Sequence, residues 1–199
     1  MNPNSNSNSD STTKMSSMHP QETKQFNLPL GRNVAEYVAI LAWWLAILWL
    51  IAAGHLGATV STWIVVIGCW VKAVLFGAEN MKQLYQAAQS NLAHHRFLVL
   101  MGVNMSQMIL SFAFDFHLLF NINPGCFSGV SSEVGMWEAL FDFFYLSTLN
   151  FSFFGYSDIL PQTIAAKVVN LTEIILAFVT VIFLLSDFIS LKDSIRNRQ

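Results

Sequence analysis

Polar and apolar positions along this chain are sorted into blocks far longer than a helical turn or a strand. Residues 1 to 30 are rich in Asn, Ser, Thr and Pro and show almost no apolar periodicity. Such a segment cannot bury enough apolar surface to offset its ordering entropy, so it reads as a disordered tail. Four long apolar runs follow: Val34 to Ala53, Ala58 to Ala78, Phe97 to Phe120 and Ile164 to Ile189. Gly54-His55-Leu56-Gly57 breaks the first from the second. At about 1.5 Å of rise per residue, each run is long enough for the ~30 Å hydrocarbon slab. Lipid offers no partner for backbone N–H and C=O groups, so uninterrupted runs of this length predict membrane-spanning helices.

The stretch from Asn121 to Thr163 has a different texture. A loop with Pro124, Gly125 and Gly129 leads into a shorter apolar helix signal from Met136 to Phe151. Ser132 is the expected N-cap, with Glu133 favourable in the first turn. Phe153-Phe154-Gly155-Tyr156-Ser157-Asp158-Ile159-Leu160-Pro161 follows, and a helix does not readily continue through it. A short helix and then irregular backbone predict a segment that enters the membrane and returns. Irregular backbone is tolerated at that depth only where protein buries it or water lines it.

Composition agrees with the pattern: 54% of residues are hydrophobic and only 11% are charged, against about a quarter charged in soluble domains. A formal charge of −2 gives no argument for a nucleic-acid partner. No metal-ligand spacing, glycine-rich phosphate loop or nucleophile elbow is present, so no enzyme and no cofactor is expected. Cys69 lies in an apolar run and Cys126 in the loop after the third span, so the two are not expected to pair.

Basic residues set the expected orientation. Lys14, Lys24 and Arg32 precede the first span, Lys82 and Arg96 lie between the second and third, and Lys192, Arg196 and Arg198 follow the fourth. Both termini and the middle loop are thereby expected in the cytoplasm, in a multi-pass plasma-membrane protein. Glu133, Glu138, Asp142 and Asp158 then gather outside, where a field that attracts cations competes with the plainer reading of a solvated acidic loop.

Residues 142 to 161 read D-F-F-Y-L-S-T-L-N-F-S-F-F-G-Y-S-D-I-L-P. This resembles the potassium-channel stretch D-A-L-Y-F-S-x-x-T-x-T-T-V-G-Y-G-D-I-x-P, of the bacterial two-helix-pore type. Without gaps, Asp142, Tyr145, Ser147, Gly155, Tyr156, Asp158, Ile159 and Pro161 match, and Asn150 and Ser152 stand where threonines are usual. Thr163, Ala166-Lys167 and Glu173 continue the likeness into the fourth span. The likeness covers about 75 residues and gives the first two helices no support; together with the four apolar runs it points to an all-α membrane protein of four transmembrane helices, with a re-entrant pore helix and filter loop between helices 3 and 4. Its parts would be a 1–30 tail, a 31–78 peripheral hairpin, a 79–96 amphipathic linker, a 97–191 pore domain and a 192–199 tail.

The resemblance further implies a homotetramer in the lipid bilayer, because one pore loop supplies a quarter of a filter. Backbone carbonyls of Phe153, Phe154, Gly155, Tyr156 and Ser157 would replace the hydration shell of a monovalent cation, potassium first. Asp158 would stand at the outer mouth; Asp142, Tyr145, Ser147, Asn150, Ser152 and Glu173 would support the pore helix. The usual T-V-G-Y-G-D is replaced by F-F-G-Y-S-D. Phe153 removes a hydroxyl from the innermost site, and Ser157 stands at the second glycine, where positive φ would cost about 1–2 kcal/mol. A weakly selective cation channel and a non-conducting regulatory subunit therefore stay open beside the potassium reading. Ala177 occupies the region where the inner helix of the family often bends at glycine.

Other candidates carry plainer readings. Asp115 and His117 could form a proton-sensitive pair; a snorkelling interfacial pair is the favoured expectation. His94-His95 closes a linker in which Met81, Leu84, Tyr85, Ala88 and Leu92 recur at helical spacing, as on an amphipathic helix at the inner face. The tryptophans of the first two spans are expected mostly as lipid-facing or interfacial anchors. Lys72 is the second span's one basic residue, too little for a voltage sensor.

Overall fold

A computed structural model describes residues 30–54, 56–89, 94–131, 133–154 and 157–196, and all of these except Leu30 lie in one compact unit, Gly31–Gln199. The expected tail up to residue 29, the Ser132 cap, filter positions Gly155 and Tyr156, and the side chains of His94 and His95 lie outside what is described. Five helices make up the unit: α1 (Leu30–Ala52), α2 (Ala58–Gln89), α3 (His94–Ile122), α4 (Met136–Phe151) and α5 (Ile164–Arg196). Four of them are long and apolar enough to cross a bilayer, over Asn33–Ala52, Ala58–Glu79, Leu98–Ile122 and Ile164–Leu185. The chain is thus an all-α integral membrane protein with four candidate spans.

Each helix end has a local cause. After α1, Gly54 takes a left-handed φ of 67°, and its N–H reaches the Ile51 carbonyl at 3.0 Å. Glycine enters that region without a Cβ penalty, so the chain can turn sharply into α2. Gly68 lets the hairpin close: a Cβ there would sit 2.9 Å from the Trp43 ring. Small residues matter more between membrane helices than in water, because lipid supplies no hydrophobic drive and close packing must hold the helices together.

α2 runs on to Gln89 and so takes in the first part of the 79–96 stretch as continuous helix. The start of α4 departs from expectation. Its N-cap is Gly135, in extended conformation and without a side-chain cap, and Glu138, not Glu133, is the acidic residue of the first turn.

The core lies where α3 meets its neighbours. Phe143 of α4 is fully buried, with ring centroids of Phe127, Phe120, Phe116 and His117 at 5.0, 5.5, 6.3 and 6.5 Å. Trp44 is the exception among the tryptophans: it is buried and stacked on Phe114 at 4.6 Å, while Trp43, Trp49, Trp63 and Trp70 are exposed as anchors should be.

The Asp115–His117 expectation is corrected. Both side chains are buried, and Asp115 accepts from Lys72 Nζ at 2.6 and 2.7 Å. A lysine that faces a carboxylate across two apolar helices is held by it, and neither needs to reach the interface. α1 is joined to α3 by further polar contacts. Gln107 donates to Glu36 at 3.1 Å and to the Asn33 carbonyl at 3.3 Å, and Tyr37 meets Ser106 through their hydroxyls.

Candidate functional site

Sixteen residues make α4, about 24 Å at the usual helical rise, which is shorter than the ~30 Å of hydrocarbon. One face carries Ala139, Phe143, Leu146, Ser147 and Phe151 into the bundle. The other presents Trp137, Phe141, Phe144 and Tyr145, which are exposed among the described residues.

A polar node fastens the buried face. Glu173, from the third turn of α5, is fully buried. One of its oxygens accepts from the Ser147 hydroxyl, the other from Asn150 Nδ2 at 2.6 Å. Asn150 Nδ2 also reaches Asn170 Oδ1 at 2.9 Å, one turn before Glu173. Ser147, Asn150 and Glu173 were expected to act together and are brought together; Asn170 was the unforeseen partner. Such a node fixes both the rotation of α4 and its depth against α5.

α4 ends at Phe151. The Ser152 hydroxyl turns back to the Thr148 carbonyl at 2.8 Å, and Phe153 takes a positive φ of 56°. A non-glycine residue there is strained by about 1–2 kcal/mol. It reverses the chain off the helix and leaves the Phe153 and Phe154 side chains 45% and 77% exposed. The C-terminal carbonyls of α4 give this end a partial negative charge, which favours a cation nearby. Beyond the undescribed Gly155 and Tyr156, Ser157 is half-buried, and its Oγ accepts from the Ile159 N–H at 3.0 Å.

The far side of this turn is stapled down. β1 (Phe127–Ser128) pairs antiparallel with β2 (Leu160–Pro161), and the Gln162 N–H donates to the Cys126 carbonyl at 2.8 Å. Gln162 Nε2 adds a bond to Ser128 Oγ at 2.8 Å. Gly129, at φ 88°, lies so close that a Cβ would fall 2.1 Å from the Asp158 carbonyl oxygen. The loop before α4 and the segment after it are thus held edge to edge, a contact that spacing alone could not reveal. Beneath it Cys126 is buried, and burial pushes its thiol up from 9.0 to about 12.

Other expected residues differ in their surroundings within one chain. Asp142 is half-buried on α4, whereas Tyr145 and Asp158 are exposed. Ala177 is fully buried inside α5, which contains neither glycine nor proline from Ile164 to Arg196. Among the described residues no group of three or more His, Cys, Asp or Glu could hold a metal ion. A cavity of about 670 Å³ opens between α1 and α2 and is walled by residues such as Trp43, Gly68, Val71 and Leu75, away from α4 and the turn after it.

A short helix is thus bound to α5 by a buried carboxylate and followed by a turn with exposed aromatic side chains. In the comparison with protein families, residues 104–192, just under half of the chain, match the family described as ion channel. The match takes in about the last two thirds of α3 together with α4, the turn after it and most of α5, and leaves the α1–α2 hairpin outside. No curated protein and no solved structure matches the chain.

Proposed function

We propose that the chain is the pore-forming subunit of a homotetrameric cation channel of the plasma membrane, with potassium the first candidate. α4 is the pore helix, residues 153 to 157 are the filter, and α5 is the inner helix. The observation that carries the reading is the Glu173 node, which holds α4 against α5 with the helix C-terminus opening onto exposed backbone, inside the segment that matches ion channels. Asp158 stands at the outer mouth, and the basic residues put both termini and the 79–96 stretch in the cytoplasm. The ion moves passively: carbonyl dipoles replace its hydration shell, and neighbouring sites pass it on.

A weakly selective version of the same pore is favoured by one feature. Phe153 offers no hydroxyl, and its backbone is held at φ 56°, so the innermost ion site is remade. Both readings are tested by flux into liposomes under potassium, sodium and lithium gradients, beside the triple variant Phe153→Thr, Phe154→Val, Ser157→Gly. The filter placement predicts a higher potassium preference in the variant. An unchanged preference in a conducting variant would overturn that placement, and equal wild-type rates for the three ions would favour the weakly selective pore.

A further inference from the structure

The face that α5 leaves uncovered is a single apolar stripe. Leu171, Ile175, Phe178, Ile182 and Leu185 are all roughly half exposed. Their spacing alternates four and three residues, which keeps them on one side of a helix. The opposite side buries Glu173, Ala177 and Thr180 against the rest of the chain. The stripe holds no polar side chain, and it passes directly beside the turn that ends α4. There the Phe153 ring, thrown toward α5 by its left-handed backbone, meets the Phe178 ring edge-on, with centroids 6.2 Å apart at 85°.

Resting on the pore reading above, we propose that Phe178, braced by Phe153, forms an apolar gate at the inner end of the filter. Four-fold repetition sets four Phe178 rings around the space into which residue 153 of each subunit points. A ring of aromatic edges without a polar partner expels water when narrow, and a hydrated cation cannot cross a dewetted constriction. α5 runs unbroken past this level, with Ala177 packed and no glycine or proline at which to bend. Glycine and proline are among the usual causes of a sharp kink, and without them the gate opens by rotation of the phenylalanine side chains. The Phe153–Phe178 contact makes that rotation answer to the backbone of the filter.

The test is potassium flux from liposomes loaded with wild type, Phe178→Ala, Phe178→Tyr and Phe153→Leu, with Val74→Ala on an exposed face of α2 as control. Gel filtration in detergent reports the assembly of each. Phe178→Tyr differs by one hydroxyl and keeps the fold even if the alanine variant does not. The gate predicts that both Phe178 variants raise flux roughly tenfold or more by wetting the constriction, that Phe153→Leu raises it less, and that Val74→Ala leaves it unchanged. Wild type and Phe178→Tyr conducting equally would overturn the gate and leave the pore standing. Intact tetramers with no flux in any variant would overturn the pore reading, and the gate with it.

Discussion

Asp115 and Glu173 are both carboxylates buried among apolar helices, yet they are held by opposite means. Asp115 faces one full charge, with Lys72 Nζ within 2.7 Å of both oxygens, and the pair ties the α1–α2 hairpin to α3. Glu173 faces neutral donors only, from Ser147 and Asn150, and ties the short helix α4 to α5. An ion pair in low dielectric depends on both partners, because either one alone is an uncompensated buried charge. A carboxylate held by hydroxyl and amide donors needs only its acceptor oxygens. The α2–α3 contact is therefore all-or-none, and the α4–α5 contact one that degrades in steps.

The largest expected effect breaks the first of these. Lys72→Met should destabilise the protein by about 3–5 kcal/mol by stranding Asp115, read from unfolding in mixed micelles. The double variant Lys72→Met, Asp115→Leu should recover most of that loss. If the double is as unstable as the single, charge isolation is not the cause.

Gly129→Ala comes next and strikes the turn after α4 from the other side. The residue must hold φ 88° while its new methyl meets the Asp158 carbonyl. The dihedral contributes about 1–2 kcal/mol and the collision about 1–3. Thermal unfolding measures the sum; an unperturbed midpoint would mean that β1 and β2 do not carry the turn.

Glu173→Gln sharpens the contrast, since glutamine keeps one acceptor and presents an amide to Asn150. The loss should be about 1–2 kcal/mol, well below that of Lys72→Met in the same assay. A larger loss than Lys72→Met would reverse the ranking of the two nodes.

Cys126 gives the smallest effect. With its folded thiol pushed to about 12 from 9.0, it should resist maleimide at pH 8. Its contribution to stability should be complete below pH 9 and fall as pH rises toward 12, because only the unfolded chain ionises early. Fast labelling of the folded protein would show that the loop over it opens.

Long apolar runs announced the four spans because lipid admits few other solutions, and the runs needed only adjustment at their ends. Ser147, Asn150 and Glu173 were legible through their likeness to a channel motif, and they meet. The Lys72–Asp115 pair left a readable trace, opposite charges in successive spans, but lone charges near span ends are equally well explained by snorkelling. Gly129 and Asn170 left none: one depends on a backbone approach between loops 29 residues apart in number, the other on helix rotation set by its neighbours. The N-terminus of α4 was misread because Ser and Glu advertise a cap, while the chain begins the helix from Gly135 without one.

The most direct measurement is chemical block at the turn after α4. Cys69 and Cys126 are both buried, so a cysteine placed at Ser157 can be modified almost alone by a small, membrane-impermeant thiol reagent. Should the peptide groups around it line the ion path, modification of Ser157→Cys in liposomes abolishes potassium flux, and a reducing agent restores it. Complete labelling of Ser157→Cys with flux unaltered would show that ions pass elsewhere.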